Sequence, residues 1–136
     1  MTNVFVTGGN WSNLNDELKT FFAKQPELAV ACPRDYWYDL SLPRQDIDAV
    51  VVTSLYLGQG MGMEDWVQSE LVAKKVPFIL LETAAEREQL STPREITQAA
   101  SARFDFWEIV NAVREATTST PESLEKLVVA VRGANK

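Results

Sequence analysis

Carboxylates are the side chains left to this chain for holding a metal. Its 136 residues include no histidine and a single cysteine, Cys32, against 19 aspartates and glutamates. That composition excludes Ser-His-Asp and Cys-His nucleophile systems and histidine-ligated zinc or iron. Carboxylates alone would suit a hard ion such as Mg²⁺, and neither a metal nor an organic cofactor is expected. Glu64, Asp65 and Glu70 fall close together, behind the glycine-rich stretch Gly58-Gln59-Gly60-Met61-Gly62. Between a strand and a helix, such a stretch can cradle phosphate on backbone N–H groups. This one lacks the Lys-Ser/Thr of a P-loop and the spacing of a dinucleotide fingerprint, and Glu64 and Asp65 would repel an anion. It reads as a flexible loop. A further polar group in a telling place is the hydroxyl of Thr53, which closes the apolar run Ala49-Val50-Val51-Val52.

The apolar pattern says which elements must position these groups. Val4-Phe5-Val6-Thr7 is apolar and β-branched and stops at Gly8-Gly9, a strand followed by a turn. Ser12 is placed to cap a helix whose Leu14, Leu18, Phe21 and Phe22 share one face and which Pro26 ends. Leu28-Ala29-Val30-Ala31-Cys32 is a second strand, and residues 33–45 follow with no clear period. Ala49-Val50-Val51-Val52-Thr53 is a third, apolar throughout as a central parallel strand is. A helix over residues 64–75 turns Val67 and Leu71 inward, and Pro77-Phe78-Ile79-Leu80-Leu81 is a fourth strand. Thr92-Pro93-Arg94-Glu95 puts N-cap, first-turn proline and capping-box glutamate in order. A fifth strand near residues 100–104 precedes an amphipathic helix carrying Phe106, Ile109, Val110 and Val113.

Strands alternating with helices imply parallel pairing through right-handed crossovers. The expected architecture is a three-layer α/β/α sandwich on a five-stranded parallel sheet in flavodoxin-like order, with function at the carboxyl ends of the strands. Residues 1–117 make that domain. Residues 118–136 add a polar break, Thr117-Thr118-Ser119-Thr120, and an amphipathic helix with Leu124, Leu127, Val128 and Val131 on one face. A lone helix of that length is marginal in water, so it must dock on the domain, pair with a second copy or lead into a further domain. The polar end Arg132-Gly133-Ala134-Asn135-Lys136 reads like a linker or a cut.

The formal charge of −6 repels nucleic-acid backbones and anionic lipid, which leaves proteins as the expected partners, a second copy included. No apolar run approaches the roughly 20 residues that span a bilayer, and the N-terminus lacks a leader pattern. A cytoplasmic location is expected, with Cys32 a small buried side chain. Trp11, Trp37, Trp66 and Trp107 are many tryptophans for this length, and tryptophan is a common interface anchor.

In the order and spacing of its elements the chain resembles the receiver domain of two-component response regulators over residues 4 to about 116. Asp48-Ala49-Val50-Val51-Val52-Thr53 is similar to the strand that ends in the phosphoacceptor aspartate, with Thr53 at that position. Gly8 and Gly9 stand where receivers hold Mg²⁺ on acids. Thr83-Ala84 looks like the Thr/Ser-Ala pair, and Ala102-Arg103-Phe104 looks like Lys-Pro-Phe with Ala102 at the lysine. Phosphoryl transfer needs a carboxylate nucleophile, a metal held by carboxylates and a neutralising cation. All are missing at these positions, so the resemblance implies a degenerate, phosphorylation-independent signalling or protein-interaction module, of the kind that also serves as the N-terminal domain of a longer protein. Its partner face would be the helix after Thr92, the strand near Phe104 and the helix from Trp107, with Arg103 and Trp107 as anchors.

The chain also looks like the nucleoside deoxyribosyltransferase group in its apolar strand, glycine-rich loop, glutamate-bearing helix and proline-started strand. That resemblance implies an enzyme or binding domain for nucleosides or nucleotides, with Glu70, or Glu64, as the acid and Tyr36 and Trp37 facing it. The group's Asp/Ser-Gly-Thr-x-x-Glu signature is absent, and a glutamate in mid-helix is ordinarily solvated. From sequence the interaction module ranks first and the enzyme second.

Overall fold

The structure, a computed structural model, describes residues 1–8, 13–30, 47–58, 61–62, 64–88 and 93–134. Five parallel strands form one sheet: β1 (Thr2–Thr7), β2 (Leu28–Val30), β3 (Ala49–Val52), β4 (Phe78–Glu82) and β5 (Ala102–Asp105). Their order is β2-β1-β3-β4-β5, the flavodoxin-like arrangement expected. The strand period of two divides the sheet into two cores. Val4, Val6, Ala49, Val51, Ile79 and Leu81 face one side, where they meet α1 (Leu14–Ala23), α5 (Phe106–Glu115) and α6 (Glu122–Ala134). Phe5, Val50, Val52, Phe78 and Leu80 face the other, against Trp66, Val67, Leu71 and Ile96.

Asp48 sets the lower end of this stack by accepting from the Asn3 amide at 2.8 Å. At the upper end the Thr53 amide donates to the Thr7 carbonyl at 2.8 Å. These contacts fix the register in which β1 and β3 run side by side.

The region behind β3 departs from the plain helix expected. Tyr56–Gly58 and Met61–Gly62 pair as a short antiparallel ribbon where the glycine-rich sequence suggested only a loop; residues 59 and 60 lie outside the described ones. The helix that follows opens as α2 (Glu64–Trp66) and widens into a π turn over Val67–Val72, where Ala73 donates back five residues to Gln68. It closes in a Schellman pattern, Val76 N to Leu71 O at 2.9 Å and Lys75 N to Val72 O at 3.2 Å, with Lys75 left-handed at φ 57°. Val67 and Leu71 are buried as expected.

A short helix, α3 (Ala84–Glu88), follows β4, and α4 (Arg94–Ala99) follows with Pro93 at its N-cap. The fifth strand starts at Ala102 rather than at residue 100, because Ala100 still donates to Ile96 in closing α4 and Ser101 donates to Phe78. Ser12, Thr92 and residues 31–46, Cys32 among them, lie outside the described residues.

Of the ways to cover the stripe on α6, docking is the one seen. Leu124, Leu127, Val128 and Val131 are all buried in the core shared with β1, β3 and α5. Ser123 Oγ donates to Glu108 Oε1 at 2.6 Å near one end of α6, and Arg132 Nε lies 3.7 Å from Glu27 near the other. Among the described residues no helix is long and apolar enough to cross a membrane.

Candidate functional site

The carboxyl ends of β1 and β3 meet at the point where the strand order turns, the usual crevice of an open parallel sheet. Gly8 leaves β1 with φ 143°, and a Cβ there would stand 2.2 Å from Thr53 Oγ1 and 2.7 Å from the amides of Thr53 and Ser54. No residue but glycine fits. Thr53 is fully buried, and its hydroxyl lies 2.6 Å from Asn15 Oδ1 on α1 and 3.1 Å from the Thr7 carbonyl. Both neighbours are acceptors inside the protein. The two positions that the receiver resemblance assigns to phosphate chemistry are thus in contact, with no carboxylate between them and no exposed hydroxyl. Gly9, the other such glycine, lies outside the described residues.

β4 ends differently. Glu82 is its last residue and has no exposed surface, and Arg103 of β5 holds Oε1 with Nε and Nη2, both at 2.5 Å. The next residue, Thr83, accepts the Glu86 amide at 3.2 Å and so caps α3. The Glu86 carboxylate bonds back to Thr83, completing a capping box across Thr83-Ala84-Ala85-Glu86. Burial pushes Glu86 above the ordinary glutamate range; the bonds to Thr83 oppose this, and the nearby charges of Glu82 and Glu64 add to it. Thr83 therefore has a local structural task. Ala102 lies three residues below the carboxyl end of β5, paired with Ile79 and packed on the core, so the structure does not bring it to Gly8 and Thr53.

Glu64 opens α2, near enough to Glu86 to act on its charge. Glu70 sits inside the π turn with 19% of its side chain exposed, and Oε2 takes an ion pair from Lys74 one turn on. Within such a turn, residues four and five apart share a face, so Glu70 comes round on the side of the buried Trp66. Tyr36 and Trp37 lie outside the described residues. Trp107, in the first turn of α5, is 49% exposed and meets Phe106 edge-on at 5.1 Å. Arg103, four residues before it, is 40% exposed at its side chain and already engaged by Glu82.

No protein-family model matches this chain, and no curated protein does. The functional reading therefore rests on these residues. Among the described residues no three acids or cysteines stand together as a metal site. Sequence reasoning missed Glu82, Glu86 and Asn15. The first two were signalled by an acid directly after an apolar strand and by Thr-x-x-Glu; Asn15 carries no signal in a single sequence.

Proposed function

We propose that this chain acts on a nucleoside or nucleotide, with Glu70 as the carboxylate that meets the sugar. The ranking taken from sequence is thereby reversed. The observation that supports this is the state of Glu70: a glutamate expected to be solvated keeps only 19% of its side chain exposed, inside a six-residue π turn. Such turns are rare and are frequently found at functional sites. The receiver resemblance also makes no place for α6, yet that helix is part of the core.

The chemistry a single carboxylate can do here is glycosidic. Its oxygen attacks C1′ as the C1′–N bond breaks; the base leaves with the bonding pair and takes a proton from water. Water, or a second base, then displaces the sugar and frees the carboxylate. No metal and no histidine is needed.

The test is release of free base from a panel of nucleosides and nucleotides, followed by chromatography. The wild type should release base from at least one member, and Glu70→Gln should lose at least about 100-fold of that rate while melting as the wild type does. Release from none, or release that survives in Glu70→Gln, overturns the proposal.

A second reading, the phosphorylation-independent interaction module, is favoured by Trp107. An indole half exposed on the first turn of a helix beside an edge strand is the kind of anchor that interfaces use. If a second copy is the partner, light scattering should detect a dimer that Trp107→Ala dissociates. A monomer at all concentrations would remove that form of the reading.

A further inference from the structure

We infer that the cleft between α1 and the polar break before α6 binds a small organic amine with an apolar body, its ammonium group on Glu17. This site stands apart from Glu70, because α1, α5 and α6 cover one face of the sheet and the helix that bears Glu70 covers the other. The cleft has a volume of about 510 Å³, within the range that holds small ligands. Spacing on α1 builds one wall. Glu17, Phe21 and Lys24 fall at i, i+4 and i+7, so they share the face of the helix that lines the cleft. Phe21, Val113 and Leu124 supply its apolar lining, and each is also packed in the core. The exposed hydroxyls of the Thr117–Thr120 break complete the rim.

Acids in a first turn are ordinary, since a helix N-terminus favours negative charge, and Asp16 and Glu17 stand in the first turn of α1. Glu17 goes further. Its Oε2 is closed to solvent and has no hydrogen-bond partner among the described residues, so the carboxylate is stripped of hydration on one side while the side chain lines the cleft. A charge in that state is offset by a cation brought to its open side. Lys24 lines the cleft from the other end, exposed and about 10 Å further along the axis of α1. It repels a second positive charge at that end, which favours a monoamine over a diamine. Between the two ends the apolar lining takes the body of the ligand.

Calorimetric titration of the full chain compares phenethylamine with phenethyl alcohol, which has the same apolar body and no charge, and with hexamethylenediamine. The monoamine should bind at least about tenfold more tightly than either. Glu17→Gln should melt as the wild type does and bring the amine down to the affinity of the alcohol. Asp16→Asn, at the exposed neighbour, should change amine binding by less than about threefold. Amide NMR spectra should show the amine shifting residues 16–25 and 113–120 and leaving residues 64–72 in place. The amine–alcohol comparison and the shifts need no variant, so they decide even if Glu17→Gln is unstable. Amine and alcohol bound alike, amine binding that survives in Glu17→Gln, an equal loss in Asp16→Asn, shifts centred on the helix of Glu70, or no binding at about 10 mM would each overturn the assignment.

Discussion

One edge of one sheet is built in two ways. Where β1 and β3 end, the groups are neutral and pressed together: Gly8 lies so close to Thr53 that a methyl could not enter, and the hydroxyl is satisfied from within. Where β4 and β5 end, the groups are charged, and a fully buried carboxylate is balanced by an arginine that remains part-exposed. The first arrangement derives its order from shape, so any added atom disrupts it. The second derives its order from charge balance, so removing a partner or moving the pH disrupts it. Each end can be broken by a change that the other would tolerate.

The largest effect is expected at Gly8. Gly8→Ala puts Cβ 2.2 Å from Thr53 Oγ1 and forces a side chain onto a backbone at φ 143°. Strain and overpacking together should cost about 3 kcal/mol or more, read as a lower urea midpoint with unchanged slope. A loss under about 1 kcal/mol would show that this end is not closed by shape.

Next comes Arg103→Ala, which leaves Glu82 buried without its cation. Removing one partner of a fully buried pair costs 3–5 kcal/mol, and the part-exposed arginine lowers that to about 2 kcal/mol here. The double variant Arg103→Ala with Glu82→Leu should recover much of the loss, since the penalty belongs to the stranded charge. If the double variant is as unstable as the single, packing rather than charge holds this end.

Thr83→Ala should cost about 1 kcal/mol, the usual worth of an N-cap hydroxyl. The loss should appear as faster amide exchange in α3 and leave Thr53 and Asn15 undisturbed. Exchange that also quickens at the end of β1 would couple the two ends and blur the contrast between them.

The sheet was legible in the sequence because burial and period coincide there. Val4 to Thr7, Ala49 to Val52 and Phe78 to Leu81 are apolar runs bounded by glycine, a hydroxyl or proline, and parallel pairing follows from their alternation with helices. Helix endings were less legible. The helix behind β3 closes on Lys75, a left-handed position where glycine would announce the stop, so the sequence gives no sign of the Schellman turn or of the π turn before it. The candidate site was legible in part. Thr53 and Gly8 stood out by their position after strands, but that they touch depends on register, and Asn15 joins them only through where α1 packs against the sheet. Glu70 was visible and was read as solvated, since nothing in a single sequence says that a helix will widen and cover it.

The smallest effect should be the one that depends most on pH. Glu86 is raised from its ordinary value of 4.5, first by burial and then by the charges of Glu82 and Glu64, against the bonds from Thr83. A carboxyl group whose pKa is higher folded than unfolded binds its proton more tightly in the folded state. Its contribution to stability is therefore complete below 4.5 and is lost as pH rises through the raised value. Arg103, a cation on this edge, is occupied by Glu82 and does not reverse that sign. Glu86→Gln carries no charge at any pH, and its amide oxygen can still accept from Thr83. The variant should thus be more stable than the wild type at pH 7, and the gain should shrink as pH falls through the raised value and vanish below 4.5. Thermal melts across that range distinguish this from the opposite view, in which the Glu86 charge stabilises the first turn of α3 through the helix dipole. On that view Glu86→Gln would be the less stable protein at pH 7, and the charged end of the sheet would be favoured by its carboxylates rather than strained by them.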